Sequence, residues 1–261
     1  MLLAADVGNT EIVLGVFRGS ELEHTWRLST QPERTPDELA LVLSGLLAQR
    51  GVSFESQVTG VVIASVVPDV TAAVREMAAD HFAFPPVIVG PGVRTGVPIL
   101  TDNPREVGAD RVVNSLAAFS RFGGPAIVVD FGTGLNFDVV SANGEFLGGV
   151  IGPGVQVSAA TLFSRTARLT RVELSAPPGV VGKNTVEAIQ SALVYGTASM
   201  VDGMIGRIRA ELTAPEATTI ATGGLASVVL PYCTTIDHHE PWLTLEGLRL
   251  VFDKNAVTAD G

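Results

Sequence analysis

Asp6-Val7-Gly8-Asn9-Thr10 and Asp130-Phe131-Gly132-Thr133-Gly134 decide how this chain is read. Each follows a short apolar run, and each sets an Asp, a Gly and a Thr in the same order where a strand turns back. Glycine lets the backbone turn tightly and approach phosphate oxygens, successive amides can point at the anion, and the Thr hydroxyl adds a donor. One such stretch alone is equally well a hairpin turn. Two at matching places imply a duplicated architecture, with the two carboxylates facing one another across a cleft between the halves. Cations and their water would there bridge the carboxylates to phosphate.

The patterning outside the turns repeats as well. Apolar runs at 2–5 and 12–17 and a weaker one at 22–28 predict three antiparallel strands, with turn signals at Gly8-Asn9 and Gly19-Ser20. Thr35-Pro36-Asp37-Glu38 supplies an N-cap, a first-position proline and acidic first-turn residues for a helix reaching about Arg50. A buried strand at 61–67, a helix at 68–81, a strand at 87–89 and a Gly/Pro loop at 90–104 follow. The second half reads as strands at 126–130, 137–140 and 146–151, with Asn143-Gly144 as the hairpin turn. Then come a helix opening near Pro153, a long helix at 185–212, a strand at 218–221 and a closing helix at 243–255. The fold class expected is α/β, two duplicated β-β-β-α-β-α-β-α domains at 1–121 and 122–261 with a cleft between them. Residues 214–217 and 256–261 are the expected mobile pieces.

Composition excludes several functions. The chain of 261 residues carries a net charge of -10, the wrong sign for a protein that neutralises phosphates along a nucleic acid, so no nucleic-acid partner is expected. No apolar run approaches the roughly 18 residues of a membrane helix, so no membrane partner is expected either. The segment 1–6 lacks a basic n-region and a cleavage site, which predicts a first strand and a cytoplasmic protein. Cys233 is the only cysteine. His24, His81, His238 and His239 form no zinc-type pattern, and His238-His239 reads as surface loop.

Two other nucleotide motifs fail. In Gly179-Val180-Val181-Gly182-Lys183-Asn184-Thr185 the glycines are three apart and Asn follows Lys, which is not a Walker A loop. The spaced glycines from Gly148 to Gly154 lack the dinucleotide fingerprint. The two Asp-Gly-Thr turns, with Thr222-Gly223-Gly224 after the late strand as an adenosine-side element, instead resemble the actin and sugar-kinase superfamily, whose domains are actin/ribonuclease-H-like.

Five motifs narrow the resemblance. Asp6-Val7-Gly8-Asn9-Thr10, then Gly108-Ala109-Asp110-Arg111 led by Asn103-Pro104, and Gly148-Gly149-Val150-Ile151-Gly152-Pro153-Gly154 stand in that order. Gly182-Lys183-Asn184-Thr185 and the closing Leu243-Thr244-Leu245-Glu246-Gly247-Leu248 complete the set. Over nearly the whole length the chain resembles the type III pantothenate kinases. The resemblance implies ATP-dependent phosphorylation of the pantothenate 4′-hydroxyl, the first step of coenzyme A biosynthesis. It implies nucleotide contacts from Asp6, Val7, Gly8, Asn9, Thr10, Glu11, Ile12, Val13 and Thr133, and pantothenate contacts from Gly108, Ala109, Asp110, Arg111 and Thr185. Asp110 would be the catalytic base, Asp130 the ligand of a monovalent cation (K⁺ or NH₄⁺), and Asp6 a ligand of Mg²⁺ through water. A homodimer is also implied. Two positions depart from the family: Gly134-Leu135-Asn136 follow Thr133 where hydroxyl residues are more usual, and Leu100 stands where some members place an aromatic.

Other readings stay open in the residues themselves. A related kinase acting on a sugar, acetate or propionate, or a non-catalytic regulatory relative, would share the two turns. Asp110 at a helix start also fits first-turn compensation of the helix dipole. Arg111 suits either a carboxylate or a γ-phosphate. Asp102 and Glu106 read as solvated, Asp138 as a structural hydrogen-bonding residue, and Arg94-Thr95-Gly96 as a loop able to line a pocket. Neither phosphate turn contains Lys or Arg, so the nucleotide's charge must be met by amides and cations, which predicts obligatory Mg²⁺.

Overall fold

A computed structural model describes residues 1–165 and 171–256. The chain divides into two compact units, one formed by Met1–Val97, Asn103–Ala117 and 244–256, the other by Pro98–Asp102 and Ala118–Leu243. Each carries a five-stranded sheet.

In the first unit β1 (Leu2–Val7), β2 (Glu11–Arg18) and β3 (Glu21–Ser29) form an antiparallel meander. α1 (Pro36–Ala48), the short α2 (Phe54–Gln57), β4 (Gly60–Ser65), α3 (Pro68–His81) and β5 (Val87–Ile88) follow, giving the sheet order β3-β2-β1-β4-β5. α1 starts where Thr35 and Glu38 close a capping box, each side chain bonding the other's backbone amide. Its buried Leu39, Leu43 and Leu47 pack with Val70, Val74 and Met77 of α3 against Leu3, Ala5 and Val7. Because side chains alternate along a strand, Leu2, Ala4 and Asp6 belong to the other face. There the side chains of the closing helix lie close over two strand glycines. A Cβ on Gly15 would meet Leu245 Cδ1 at 2.7 Å, and one on Gly60 would meet Phe252 Cζ at 2.3 Å.

The second unit repeats the plan. β6 (Ala126–Phe131), β7 (Gly134–Val140) and β8 (Phe146–Pro153) form the meander, α5 (Val155–Arg165) follows, and β9 (Thr218–Thr222) pairs parallel to β6. The sheet order is β10-β9-β6-β7-β8, with β10 at His238–His239. The repeat is register-true: β1 and β6 each have six residues, the same burial pattern, and Asp at the fifth position. One face buries Ile127, Val129, Phe131 and Phe137 against Ile189, Leu193, Val201 and Ile205. Alternation assigns Asp130, Asn136 and Asp138 to the opposite face, and Asp138 is fully buried.

α4 (Ala109–Phe122) and α9 (Leu243–Asn255) start at their expected positions. α9, which follows the second half in sequence, is grouped with the first unit, where Gly247 allows close packing on α4: a Cβ there would lie 2.1 Å from the Val113 carbonyl oxygen. Other expectations need correction. His238-His239 is a two-residue edge strand parallel to β9 rather than loop, though both side chains are exposed. β8 runs through Pro153, and the helix begins two residues later. The helical run from Thr185 is not uniform: α6 (Thr185–Ser191) and α7 (Thr197–Glu211) flank a π-helical turn at Ala192–Gly196. There the hydroxyl of Thr197 donates to the Leu193 carbonyl at 2.6 Å, a local competitor to the helix ladder. Ala214 and Ala217, expected to be mobile, are buried, and the Arg209 guanidinium donates to the Ala217 carbonyl at 2.8 Å. Of the other expected mobile piece, 257–261 lie outside the described residues. The short helices α2 and α8 (Ala226–Val229) leave no sequence period to read.

One polar anchor fixes the far side of the second unit. Asp202 of α7 accepts from the amides and hydroxyls of both Thr234 and Thr235 at 2.7–3.1 Å. Burial would push its carboxyl up, but the Thr235 and Thr234 donors outweigh burial and hold it below the usual range. Beside Thr234, burial and then the nearby Asp202 carboxylate push the Cys233 thiol up to about 12.

Candidate active site

The first turn is closed by its own backbone. The Gly8 amide donates to the Glu11 carbonyl at 2.9 Å, and a Cβ on Gly8 would sit 3.1 Å from that oxygen. Thr30, which no sequence signal singled out, locks the turn from the residue after β3: its hydroxyl donates to the Gly8 carbonyl at 2.7 Å and its amide to the Thr10 carbonyl at 3.0 Å. The cross-strand position of Thr30 opposite the turn was the signal available. Asn9, Thr10 and Glu11 are exposed, so their polar groups can meet a ligand, whereas Val7 and Ile12 are buried in the core and can contribute only backbone. Val13 is half-buried, beside Asp6 in the ladder.

Asp110 is the second residue of α4, in the first turn where the helix dipole favours a negative charge. Its carboxylate folds back over Gly108, such that a Cβ on Gly108 would stand 2.4 Å from Asp110 Oδ1. This explains the glycine of Gly108-Ala109-Asp110-Arg111: any side chain there would displace the carboxylate. Ala109 and Arg111 are half-buried, and the Arg111 carbonyl accepts from the Ser115 hydroxyl at 2.8 Å. Asp102 and Glu106 are exposed, and Glu106 accepts from the Asn103 amide at 2.6 Å. Leu100 is 56% exposed. Arg94 is exposed, with its backbone held by Asn255 through two hydrogen bonds.

The second turn is packed more tightly. Asp130 lies in register with Asn136 on one side and Thr222 on the other. Gly223, at φ +94°, is so close that a Cβ would fall 2.5 Å from Asp130 Oδ1 and 2.6 Å from the Phe131 nitrogen. Gly154 closes the other side, its amide donating to the Thr133 carbonyl at 3.0 Å, and a Cβ there would meet the carbonyl oxygens of Gly132 and Thr133 at 2.4 Å. Three motifs separate in sequence therefore converge on one turn: Asp130 to Thr133, the last glycine of the segment ending at Gly154, and Thr222-Gly223. Thr133 is exposed at the turn. Asn136, read only as a departure, sits beside Asp130 and supplies an amide where a hydroxyl would otherwise be.

Gly182-Lys183-Asn184-Thr185 has a local role of its own. Asn184 caps α6 by accepting from the Glu187 amide at 3.0 Å, and the Glu187 carboxylate returns to the Lys183 amide at 2.8 Å. A Cβ on Gly182 would lie 2.3 Å from the Ala188 nitrogen, so the glycine lets the chain cross its own helix. The cap leaves Thr185 exposed at the first helical position.

Among the described residues no three His, Cys, Asp or Glu side chains cluster as a metal cage. That suits Mg²⁺, which is commonly held by one or two carboxylates together with nucleotide phosphates and water. Asp130, in a cradle a Cβ would fill and flanked by the oxygen-bearing side chains of Asn136 and Thr222, is a donor set that suits a hard cation. A hollow of about 770 Å³ in the first unit, lined by Arg75, Phe82, Phe84 and Pro86, contains none of the motif residues. No helix among the described residues is long and apolar enough to cross a membrane.

Comparison with known proteins agrees with the motifs. The family profile described as type III pantothenate kinase matches residues 2–207. A type III pantothenate kinase of Frankia casuarinae is 57% identical over 256 residues, covering 98% of this chain and 100% of the relative. One from Streptomyces griseus is 51% identical over 265 residues, covering 99% and 100%. Among solved structures, component A of the (R)-2-hydroxyglutaryl-CoA dehydratase of Acidaminococcus fermentans matches with a TM-score of 0.57 at 13% identity over 95% of this chain and 96% of that one. A ROK hexokinase of Thermus thermophilus gives 0.50 at 16% identity over 96% and 97%. The structural likenesses bear on the fold, which is that of the actin and sugar-kinase group.

The packing at the second turn makes a prediction. Gly223→Ala is expected to cost about 1–3 kcal/mol of stability from backbone strain, and to remove the rise in melting temperature that ATP with Mg²⁺ gives the wild type. Gly19→Ala is the control, because Gly19 has φ +59° but no atom within 4 Å of the place a Cβ would take. Thermal melts with and without nucleotide read both effects, and a Gly223→Ala protein that keeps the full nucleotide-induced rise would contradict the packing argument.

Proposed function

The chain belongs to the type III pantothenate kinase family, and from that premise we propose that Asp110 is the base in the transfer of the ATP γ-phosphoryl group to the 4′-hydroxyl of pantothenate. The activity is a phosphotransferase step of coenzyme A biosynthesis. The observation that carries the assignment to Asp110 is its carboxylate in the first turn of α4, seated over Gly108 with Arg111 beside it. In-line phosphoryl transfer asks the protein chiefly for positioning and charge neutralisation, with a carboxylate taking the hydroxyl proton late. Asp110 receives that proton, while Arg111, Gly108, Ala109 and Thr185 hold pantothenate.

The nucleotide is held by the first turn, Asp6 to Val13, and by Thr133. Neither turn has a basic side chain, so amides would meet the phosphates, Asp6 would support Mg²⁺ and Asp130 would hold a monovalent cation, K⁺ or NH₄⁺. These cations, when bound, neutralise the phosphates and the charge that develops during transfer. The functional halves, 1–121 and 122–261, each supply one turn. A cytoplasmic setting suits a chain whose one cysteine has no partner for a disulfide.

A homodimer through the second unit is supported by its exposed apolar side chains: Leu147 and Ile151 on β8, Val157 and Leu162 on α5, Val186 on α6 and Met200 on α7. Within the apolar stretch from Ala188 to Ile208, Ile189, Leu193, Ala198, Val201, Ile205 and Ile208 turn into the unit's own core, while Met200 is exposed. Solution scattering should give twice the chain mass, and a monomer mass independent of concentration would exclude the dimer.

Asp110→Asn keeps shape and removes the basic site. It should bind pantothenate with little change in KM and lower kcat by about 10²- to 10⁴-fold, with an unaltered melting temperature. The deciding data are kcat and KM from ADP release together with a melt, and near-normal kcat in a stable Asp110→Asn protein would remove Asp110 from the mechanism. In the same assay Na⁺ in place of K⁺ should lower the rate, and Asp130→Asn should abolish that difference. Equal wild-type rates in both salts would leave Asp130 without the monovalent ion.

A further inference from the structure

One turn beyond Asp110, α4 buries a polar side chain that nothing among the described residues satisfies. Asn114 is 1% exposed, and neither its amide nitrogen nor its carbonyl oxygen has a hydrogen-bond partner among the described residues. Its neighbours offer no relief: Val112 and Val113 are apolar, and the Ser115 hydroxyl already donates to the Arg111 carbonyl. A buried, unpaired amide destabilises a fold, and an apolar side chain of similar size would remove that cost. A residue carried at a cost in stability has its use elsewhere in the cycle.

The helix supplies the direction. Residues four apart lie on the same face with Cβ atoms about 5–6 Å apart, and helical side chains lean toward the N-terminus, so the side chain of Asn114 covers the turn that begins at Asp110. The Asp110 carboxylate rests over Gly108. An amide donor beneath it can fix one carboxylate oxygen while the other takes a proton.

We propose that Asn114 is a positioning residue for Asp110, its amide N–H donating to the Asp110 carboxylate when pantothenate and nucleotide are bound. The donated bond orients the carboxylate toward the 4′-hydroxyl and holds it in the ionised form until the transfer is under way. The inference rests on Asp110 being the base.

The test compares Asn114→Leu, which keeps the volume and removes the donor, with Asn114→Ser, which keeps a donor, each alone and combined with Asp110→Asn in the full-length protein. In the Asp110 wild-type background, Asn114→Leu should lower kcat about 10- to 100-fold, a loss in the range seen when a reacting group is misplaced by about an ångström. The KM for pantothenate should move less than about 3-fold, the melting temperature should hold or rise, and Asn114→Ser should recover part of the rate. In the Asp110→Asn background, Asn114→Leu should have no further effect, because the group it positions is gone. A drop in melting temperature with normal kcat would make Asn114 a structural residue and overturn the proposal, as would equal fold-losses in both backgrounds. Should Asn114→Leu not fold, normal kcat in Asn114→Ala or an equal loss for Asn114→Ser in both backgrounds would overturn it in the same way. If Asp110→Asn itself keeps near-normal kcat, the base assignment fails first, and that outcome is read before any Asn114 variant is made.

Discussion

A carboxylate resting on bare glycine backbone is the contact on which the proposed chemistry of each unit depends. In the first unit Asp110 Oδ1 occupies space a Gly108 Cβ would contest at 2.4 Å, and in the second Asp130 Oδ1 stands where a Gly223 Cβ would come to 2.5 Å. Both glycines serve as clearance, and only Gly223 also needs its positive φ. The same logic governs the scaffold. Gly15 and Gly60 admit Leu245 and Phe252 onto the strand face that includes Asp6, while Gly154 seals the second turn against its own carbonyls. Alanine at Gly154 or Gly223 would press on backbone, whereas at Gly15, Gly60 or Gly108 it would press first on the side chains of Leu245, Phe252 or Asp110.

The electrostatics follow from the same scarcity of side chains. Turns without Lys or Arg present phosphates only with amides, hydroxyls and carboxylates, and carboxylates can approach phosphate only through cations. The proposed site places carboxylates at Asp6, Asp110 and Asp130 and leaves the cations that meet the phosphates to come from solution. Such a site is governed by ionic conditions, and the net charge of -10 strengthens its demand for cations.

Much of this was legible in the sequence because the two signals that specify it are local. The Asp-Gly-Thr turns lie at the ends of six-residue apolar strands, and β1 and β6 proved equivalent residue for residue. Thr35-Pro36-Asp37-Glu38 marked the start of α1 because a capping box is complete within four residues. What escaped was non-local or too short to be periodic. His238–His239 becomes a strand only by pairing with Ile220 and Ala221, and nothing in two histidines signals that. The π turn at Ala192–Gly196 interrupts a sequence that reads as unbroken helix. Thr30, Gly154 and Gly223 act across tens of residues, so their part in the two turns appears only once the strands are paired. The residue roles in catalysis came from resemblance to a family, since an Asp in a helix's first turn has an equally good structural reason to be there.

The central claim, that clearance at glycine holds the reacting carboxylate in place, is tested most directly by single-turnover phosphoryl transfer in Gly108→Ala, with pantothenate affinity measured alongside by calorimetry. The account predicts a transfer step slowed about 100-fold or more, as expected for a displaced base, with pantothenate still bound and the protein still folded. A Gly108→Ala enzyme that transfers the phosphoryl group at the wild-type rate would contradict it.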